Sequence, residues 1–451
     1  MFDQQCKYGI LGMARSGIAA AYKIKTLGGL VFLSELLPES EVHISADLRR
    51  DFDCEFGGHS DRLLACDKWI VSPGIPLDVP IIRKGIAAGI KIISEIEFAF
   101  TIKSPDSKLI AITGSNGKST TSSLIHHLLN ELGYKSLLAG NIGDAVSGFS
   151  IEKPGYDYIV LEVSSFQLDL IDTFHPDVAV LMNITPDHLN RYASFSHYAR
   201  TKFRIFENQT ESDYAILYKN DAQIMSRIDQ VRARKMFFSS HYDNHNVDAW
   251  MNEVFIHVYD SFQLSKYNLG IRGPHNYSNA MAALLAVDVM VNRMEEAMEH
   301  ITRFRPLNHR LEFVRTINGI SFYNDSKATN TDSVRNALLS FDKPIRIILG
   351  GSDKGEDFSV LTDLLKEKAI KAYITGGTLD RMRQTWLGKV PLLCEEDFEG
   401  CIHRAFEESD IGDNIVLSPA CASFDYFKNF EHRGETFKFI VDKIAAEYEK
   451  N

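Results

Sequence analysis

The sequence predicts an α/β protein made of three domains in series, and three observations carry that prediction. A chain of 451 residues corresponds to about three domains, each large enough to bury a core. Short apolar runs alternate with stretches of helical period along most of its length. Several of those runs end in glycine-rich or polar loops, as the strands of parallel sheets do where a ligand sits beyond their carboxyl ends.

In the first hundred residues, strands are predicted at Tyr8–Leu11, Leu30–Leu33, Trp69–Val71 and Lys91–Ile93, with helices between them. The first turn, Gly9-Ile10-Leu11-Gly12-Met13-Ala14-Arg15-Ser16-Gly17, has the look of a dinucleotide fingerprint but does not match Gly-x-Gly-x-x-Gly. The second run ends at Ser34-Glu35, where an acid would meet a ribose. NAD, a phosphate or uridine group, and a plain packing turn all fit this pattern.

A second unit starts near Ser107. Lys108–Ile112 reads as a buried strand, and Leu124, Leu128, Leu129 and Leu132 follow at helical spacing until Gly133 stops the run. Further strands are predicted at Tyr158–Val163 and Val178–Ile184. Residues 209–269 contain strands and turns without an interpretable motif. Gly273–Val291 reads as a helix with Ala280, Ala283, Leu284, Val287 and Val291 on one apolar face and Asn276 near its start. A third unit begins after Pro306, with strands at Ile320–Tyr323, Ile345–Leu349, Ala372–Ile374 and Ile415–Leu417. The expected boundaries are 1–102, 103–305 and 306–451.

Composition narrows the function. A formal charge of −11 without a lysine or arginine run disfavours nucleic acid and anionic membranes as partners. No apolar stretch approaches a membrane span, and Met1–Tyr8 has no signal-peptide pattern, so a cytoplasmic location is expected. The six cysteines form no Cys-x-x-Cys pair, which suits a reducing compartment and argues against structural zinc.

The chemistry is clearest in Thr113-Gly114-Ser115-Asn116-Gly117-Lys118-Ser119-Thr120, which lies between a strand and a helix. Backbone N–H groups at a helix start attract phosphate and glycine permits close approach. Lys118 would reach the β- and γ-phosphates, with Ser119 or Thr120 on magnesium. Only Ser115 and Asn116 separate Gly114 from Gly117-Lys118, where the standard phosphate loop has a longer spacer. Glu162 closes one neighbouring strand and Asp187-His188 the next, so these three would face Lys118 across one crevice. Three further loops follow strands of the third unit: Asn324-Asp325-Ser326-Lys327-Ala328-Thr329-Asn330, Leu349-Gly350-Gly351-Ser352-Asp353-Lys354-Gly355, and Ser418-Pro419-Ala420-Cys421-Ala422-Ser423. One of them would serve as a helix cap, but three at one sheet end point to a binding face.

Taken in order, these blocks resemble the Mur ligases, the ATP-dependent amide ligases of peptidoglycan synthesis. Gly140-Asn141-Ile142-Gly143, His275-Asn276 and Asn308-His309-Arg310 add to the general match. The branch that adds D-glutamate is indicated by Leu161-Glu162-Val163-Ser164-Ser165-Phe166-Gln167-Leu168, by the loops at 324–330 and 418–423, and by Phe427-Lys428-Asn429-Phe430-Glu431-His432-Arg433-Gly434. The resemblance implies a Rossmann-like N-terminal domain for UDP, a P-loop ATPase-type central domain and a Rossmann-like C-terminal domain. It also implies a monomer acting on UDP-MurNAc-L-Ala, D-glutamate and ATP through an acyl phosphate.

By that resemblance Gly114–Thr120, Asn276, Arg310 and Asp325 bind ATP, and Ser119 and Glu162 hold magnesium. His188 and a carbamylated Lys202 hold a second ion; unaided, the sequence favours Lys202 as a solvated helix lysine. Lys118, Glu162, His188 and Lys202 form the implied catalytic set. Ser16, Ser34, Glu35, Ser72 and Asn141 fall to the UDP-sugar, and Asp187, Lys327, Thr329, Lys354, Ser423 and Phe430 to D-glutamate. The first domain departs most from the family pattern, with Ser34-Glu35-Leu36 where an acid followed by Ser, Thr or Arg is usual. Another Mur-type or folylpolyglutamate-type ligase, or a non-catalytic nucleotide-binding protein, are the alternatives. An N-terminal α/β domain ahead of the phosphate loop counts against the folate type.

Overall fold

The computed structural model describes residues 2–42, 45–187, 191–240, 247–305 and 307–448; His188 lies outside them. The chain divides into two compact units, residues 1–267 with 278–302 and residues 268–277 with 303–451. All six cysteines are free thiols. No helix among the described residues is long and apolar enough to cross a membrane.

The first unit contains two sheets. Strands β1 (Lys7–Leu11), β2 (Leu30–Ser34), β3 (Asp53–Glu55), β4 (Lys68–Val71) and β5 (Lys91–Ile93) lie in the order β3-β2-β1-β4-β5, all parallel. β3 was not predicted: Asp53-Cys54-Glu55 is an edge strand with no apolar run, visible only through its pairing with Phe32–Ser34. The first turn is tight, since a Cβ on Gly17 would stand 2.1 Å from the Gly12 carbonyl oxygen. Glycine there lets the helix Arg15–Thr26 sit directly against the end of β1.

The second sheet comprises β6 (Lys108–Thr113), β7 (Ser136–Gly140), β8 (Tyr158–Glu162), β9 (Val178–Leu181), β10 (Tyr214–Tyr218), β11 (Arg234–Phe238), β12 (Ala249–Met251), β13 (Phe255–Val258) and β14 (Phe262–Ser265). Its order is β14-β13-β12-β11-β10-β9-β6-β8-β7, parallel up to β12 and antiparallel beyond. The parallel strands are buried on both faces, which is why they read as continuous apolar runs. β9 stops at Leu181, short of the predicted Ile184, because Met182–Thr185 leaves the ladder to hold the loop after β6. The region 209–269 supplies β10 to β14. Its last hairpin turns on Tyr259 and Asp260 at φ 53 and 56, positions where glycine or asparagine would have signalled the turn.

The helix Glu95–Ile102 joins the two sheets and is buried at Glu95, Ile96, Glu97, Phe98, Ala99 and Ile102. Glu97 would be costly there but for its partners. Its carboxylate accepts the backbone N–H groups of Asp172, Thr173 and Phe174 at 2.8–2.9 Å and the Thr173 hydroxyl at 2.5 Å.

The second unit holds β15 (Glu312–Ile317), β16 (Ile320–Asn324), β17 (Ile345–Leu349), β18 (Ala369–Ile374), β19 (Leu392–Cys394) and β20 (Asn414–Leu417), ordered β15-β16-β20-β17-β18-β19. Only β15 is antiparallel. It was missed although Asn318-Gly319, at φ 48 and 74, is the standard two-residue hairpin signal. One core forms around Val334, Leu338 and Trp386 and another around Phe437, Val441 and Phe322, so helices cover both faces of the sheet.

Replacing Glu97 by alanine would take the acceptor from three backbone N–H groups, that of the buried Phe174 among them, a cost of about 1–3 kcal/mol. Urea denaturation of Glu97→Ala reads this directly; a loss below about 1 kcal/mol would show that water or a neighbour takes over the role.

Candidate active site

The carboxyl ends of β6, β7, β8 and β9 lie on one edge of the central sheet, and the polar residues after them converge. After β6 the chain turns through Gly114 at φ +152 and Gly117 at φ +86; a Cβ on Gly117 would stand 2.4 Å from Asn279 Oδ1. Gly117 then caps the helix Lys118–Glu131, whose first-turn N–H groups open onto the loop. The short spacer is braced from behind. Ser115 N donates to the Asn183 carbonyl (3.0 Å), Asn116 N to Asn183 Oδ1 (2.8 Å), and Asn183 Nδ2 back to the Asn116 carbonyl (3.1 Å). Ser115 Oγ donates to the Thr185 carbonyl (2.8 Å) and lies 3.0 Å from the Tyr198 hydroxyl. Lys118 folds back onto the Gly114 and Ser115 carbonyls at 2.8 and 2.7 Å. Ser119 and Thr120 are buried, and Thr120 Oγ1 has no hydrogen-bond partner among the described residues.

Glu162 closes β8 and is buried, with Oε1 accepting from Asn141 Nδ2 at 2.7 Å. Lys202, on the helix Phe195–Phe203, is not a solvated helix lysine: it is 2% exposed, donates to the Gly114 carbonyl at 2.8 Å and lies over the Tyr198 ring. Burial, and then the Lys118 cation, push its amine well below the usual lysine range; Asp187 and Glu162 oppose them. The structure therefore brings Lys118, Glu162, Asp187, Lys202 and Asn141 around one loop. Asn183 and Tyr198 escaped sequence reasoning, although Asn183 stands directly after the apolar run of β9, where a ligand-facing polar residue is expected.

At the end of β2 the predicted uridine-side residues are engaged locally. Ser34 Oγ donates to Glu55 Oε1 (2.6 Å) and lies 2.7 Å from His59 Nδ1. Glu35 accepts the Met13 and Leu37 N–H groups, and Ser72 Oγ donates to the Gly12 carbonyl. Ser16 is half-buried in the first turn of the helix Arg15–Thr26. Ser34, Glu35 and Ser72 tie the loops after β1, β2, β3 and β4 to one another. Glu55 and His59 carried no signal in the sequence.

In the second unit, the loops after β16, β20 and β17 leave three adjacent strands at the same edge. Asp325 is buried: its carboxylate accepts from Ser418 Oγ (2.8 Å) and Leu311 N (3.2 Å). Burial pushes it up to about 7 against the opposing pull of Ser418 and Arg310. His275 is pushed down to about 3 by burial and by Arg310. Asn276 is buried and donates to the Arg272 carbonyl.

Lys327 lies over the Phe430 ring at 5.4 Å, while Ser423 is buried, Thr329 half-buried and Lys354 exposed. Asn330 caps the helix Thr331–Leu339 through Ser333 N, so part of this polar run is a cap after all. Arg433, buried, donates to Ser326 Oγ and to the carbonyls of Ser326, Cys421 and Ala422 at 2.8–3.2 Å, tying two of the loops together. It stands in the 427–434 block, but nothing in the sequence marked it apart from its neighbours. His309 and Ala420 hold φ +62 at this edge, a backbone cost that surrounding packing sustains.

Residues 112–287 match the Mur ligase middle domain and residues 309–421 the Mur ligase glutamate ligase domain. The chain is 40% identical to the UDP-N-acetylmuramoylalanine–D-glutamate ligase of Cytophaga hutchinsonii, covering 97% of this chain and 99% of that one. It is 36% identical to the enzyme of the same name from Koribacter versatilis, over 98% of both. A MurF ligase from Thermotoga maritima, solved in complex with ADP, shares the fold at a TM-score of 0.62 and 19% identity, over 85% of this chain and 92% of that one. With the short phosphate loop, the acid and lysine around it and this agreement along nearly its whole length, the chain belongs to the Mur ligases, in the family of UDP-N-acetylmuramoylalanine–D-glutamate ligases.

Proposed function

We propose that this chain joins D-glutamate to UDP-N-acetylmuramoyl-L-alanine with cleavage of ATP, as a cytoplasmic monomer. The observation that carries the proposal is the phosphate loop with Glu162 and a buried Lys202 beside it, in a chain this similar to enzymes of that name. A free carboxylate is a poor electrophile. Its oxygen attacks the γ-phosphorus of ATP, ADP leaves, and an acyl phosphate forms. The D-glutamate amine then attacks the acyl carbon, loses a proton and expels phosphate, leaving the amide.

The first-turn N–H groups of the helix Lys118–Glu131 and the Lys118 ammonium hold the β- and γ-phosphates and stabilise charge during transfer. Lys118 must leave the Gly114 and Ser115 carbonyls to do so. Magnesium, when bound, neutralises phosphate charge, and the donor set suits it: Ser119, the lone Thr120 hydroxyl and Glu162 offer only oxygen. The assignment of His188 and a Lys202 carbamate to a second ion rests on family resemblance. Burial presses the Lys202 amine toward its neutral form, and a neutral amine is the form that adds to carbon dioxide, losing a proton to become a carbamate.

Asn276, Arg310 and Asp325 are assigned to the nucleotide, and Ser16, Ser34, Glu35, Ser72 and Asn141 to the UDP-sugar. D-Glutamate is assigned to Asp187, Lys327, Thr329, Lys354, Ser423 and Phe430, where Lys354 can pair with a substrate carboxylate. One sheet goes with each of the three domains, at 1–102, 103–305 and 306–451.

Phosphate release from ATP with UDP-MurNAc-L-Ala and a panel of amino acids tests the activity. D-Glutamate is expected to be preferred, and Lys118→Ala to lower turnover about 100-fold or more. Preference for L-alanine, L-lysine or diaminopimelate, or release with no acceptor at all, would sink the proposal. Lys202→Ala should lose most activity and regain part of it with short carboxylates; near-normal turnover of that variant would remove the carbamate.

Asp325 adds a pH signature. With its folded pKa raised, its stabilising contribution is whole below about pH 4 and is lost as pH rises through about 7. Asp325→Asn should therefore flatten the fall in denaturation midpoint between about pH 4 and about pH 7; parallel curves would place the titration elsewhere.

A further inference from the structure

Arg191, on the connection after β9, reaches the loop that follows β4. Its guanidinium donates to three consecutive carbonyls of that loop: Nη2 to Pro73 (3.1 Å), Nη1 to Gly74 (2.9 Å) and Nη2 to Ile75. The same guanidinium lies over the Phe166 ring at 4.9 Å. Phe166 stacks on Tyr192 (5.9 Å, interplanar 17°), and Tyr192 meets Tyr198 at 5.3 Å. Tyr198 in turn stands 3.0 Å from Ser115 Oγ in the phosphate loop. A polar line runs alongside: Tyr192 donates to Asp169 (3.2 Å), which also accepts from Thr201 (3.1 Å), the neighbour of Lys202. The loop at Ser72–Ile75 and the phosphate loop are thus ends of one continuous set of contacts.

We propose that Arg191 is a positioning residue. It sets the spacing between the sugar-nucleotide loop and the phosphate-transfer centre, so that the acceptor carboxylate arrives in line with the γ-phosphate. This rests on the ligase function proposed above. The fork of the guanidinium suits the task, because one planar group spans three carbonyls while its face stays on an aromatic ring. A lysine would supply one point of attachment and no stacking surface. Small errors in the placement of reacting groups are expensive, so the effect belongs to the sugar-nucleotide side and to turnover, and not to ATP binding.

The test is steady-state kinetics on Arg191→Ala, Arg191→Lys and Phe166→Leu, with calorimetric titration of UDP-MurNAc-L-Ala and thermal melts alongside. Arg191→Ala should raise KM for the sugar nucleotide roughly tenfold and lower kcat by a similar factor, with KM for ATP within about twofold of the parent. Arg191→Lys should recover only part of this. The Phe166→Leu change should be smaller and non-additive with Arg191→Ala, as expected for groups in contact. Unchanged sugar-nucleotide KM and Kd with a lowered melting temperature would make Arg191 merely structural and overturn the proposal, as would equal losses for both substrates. Should Arg191→Ala fail to fold, Arg191→Lys and Phe166→Leu decide by the same split. A parent protein that does not bind the sugar nucleotide would sink the ligase function itself, an outcome distinct from a parent that binds and variants that bind equally well.

Discussion

The four-residue turn Gly114–Gly117 must bring bare backbone N–H groups up to a polyanion while keeping side chains out of the way, and much of the central unit is arranged around that requirement. Two positive-φ glycines make the turn possible, but they also make it floppy. The stiffness is supplied from outside, by Asn183, Thr185 and Tyr198, which hold Ser115 and Asn116. β9 ends early so that its next residues can face the loop, and the helix carrying Lys202 is placed by the same tyrosine. The shortened spacer is therefore a loop whose bracing has moved from its own residues to a neighbouring strand end.

Electrostatics inside this centre follow from how dry it is. Lys118, Lys202, Asp187 and Glu162 sit close enough to influence one another, and burial costs a second cation most. Burial and the neighbouring Lys118 therefore both press the Lys202 amine toward its neutral form. In the second unit burial likewise works against charge, pushing Asp325 up to about 7 and His275 down to about 3 beside Arg310. The net negative charge of the whole chain says nothing about these local arrangements.

The central parallel strands of all three sheets were legible because burial on both faces writes a continuous apolar run, whereas β7 and β19 were missed along with β3. The phosphate loop, Glu162 and the three C-terminal loops were legible because polar residues follow those runs directly. What escaped was set by neighbours. The edge strand at Asp53–Glu55 has no pattern of its own, and the Tyr259-Asp260 turn lacks the residues that its backbone would favour. Asn318-Gly319 did carry a signal, which was passed over. Ser34, Glu35 and Ser72 drew notice by residue type alone; that their polar atoms also fasten one loop to another could not be read from the sequence. Lys202 is the instructive case, since a helix lysine flanked by Thr201 and Phe203 gives no hint that its amine ends in the interior.

The buried Arg433 joins the loop after β16 to the loop after β20 through four hydrogen bonds, with its own helix as the third member. Such a joint makes these loops of the glutamate ligase domain behave as a cassette. Attempts to retune acceptor choice by grafting one loop from a relative would leave the guanidinium with mismatched carbonyls, and single-loop libraries would be depleted of folded members. Exchanging both loops together with the start of the Phe430–Tyr448 helix keeps the joint intact, and marks the unit within which new specificities can be sought.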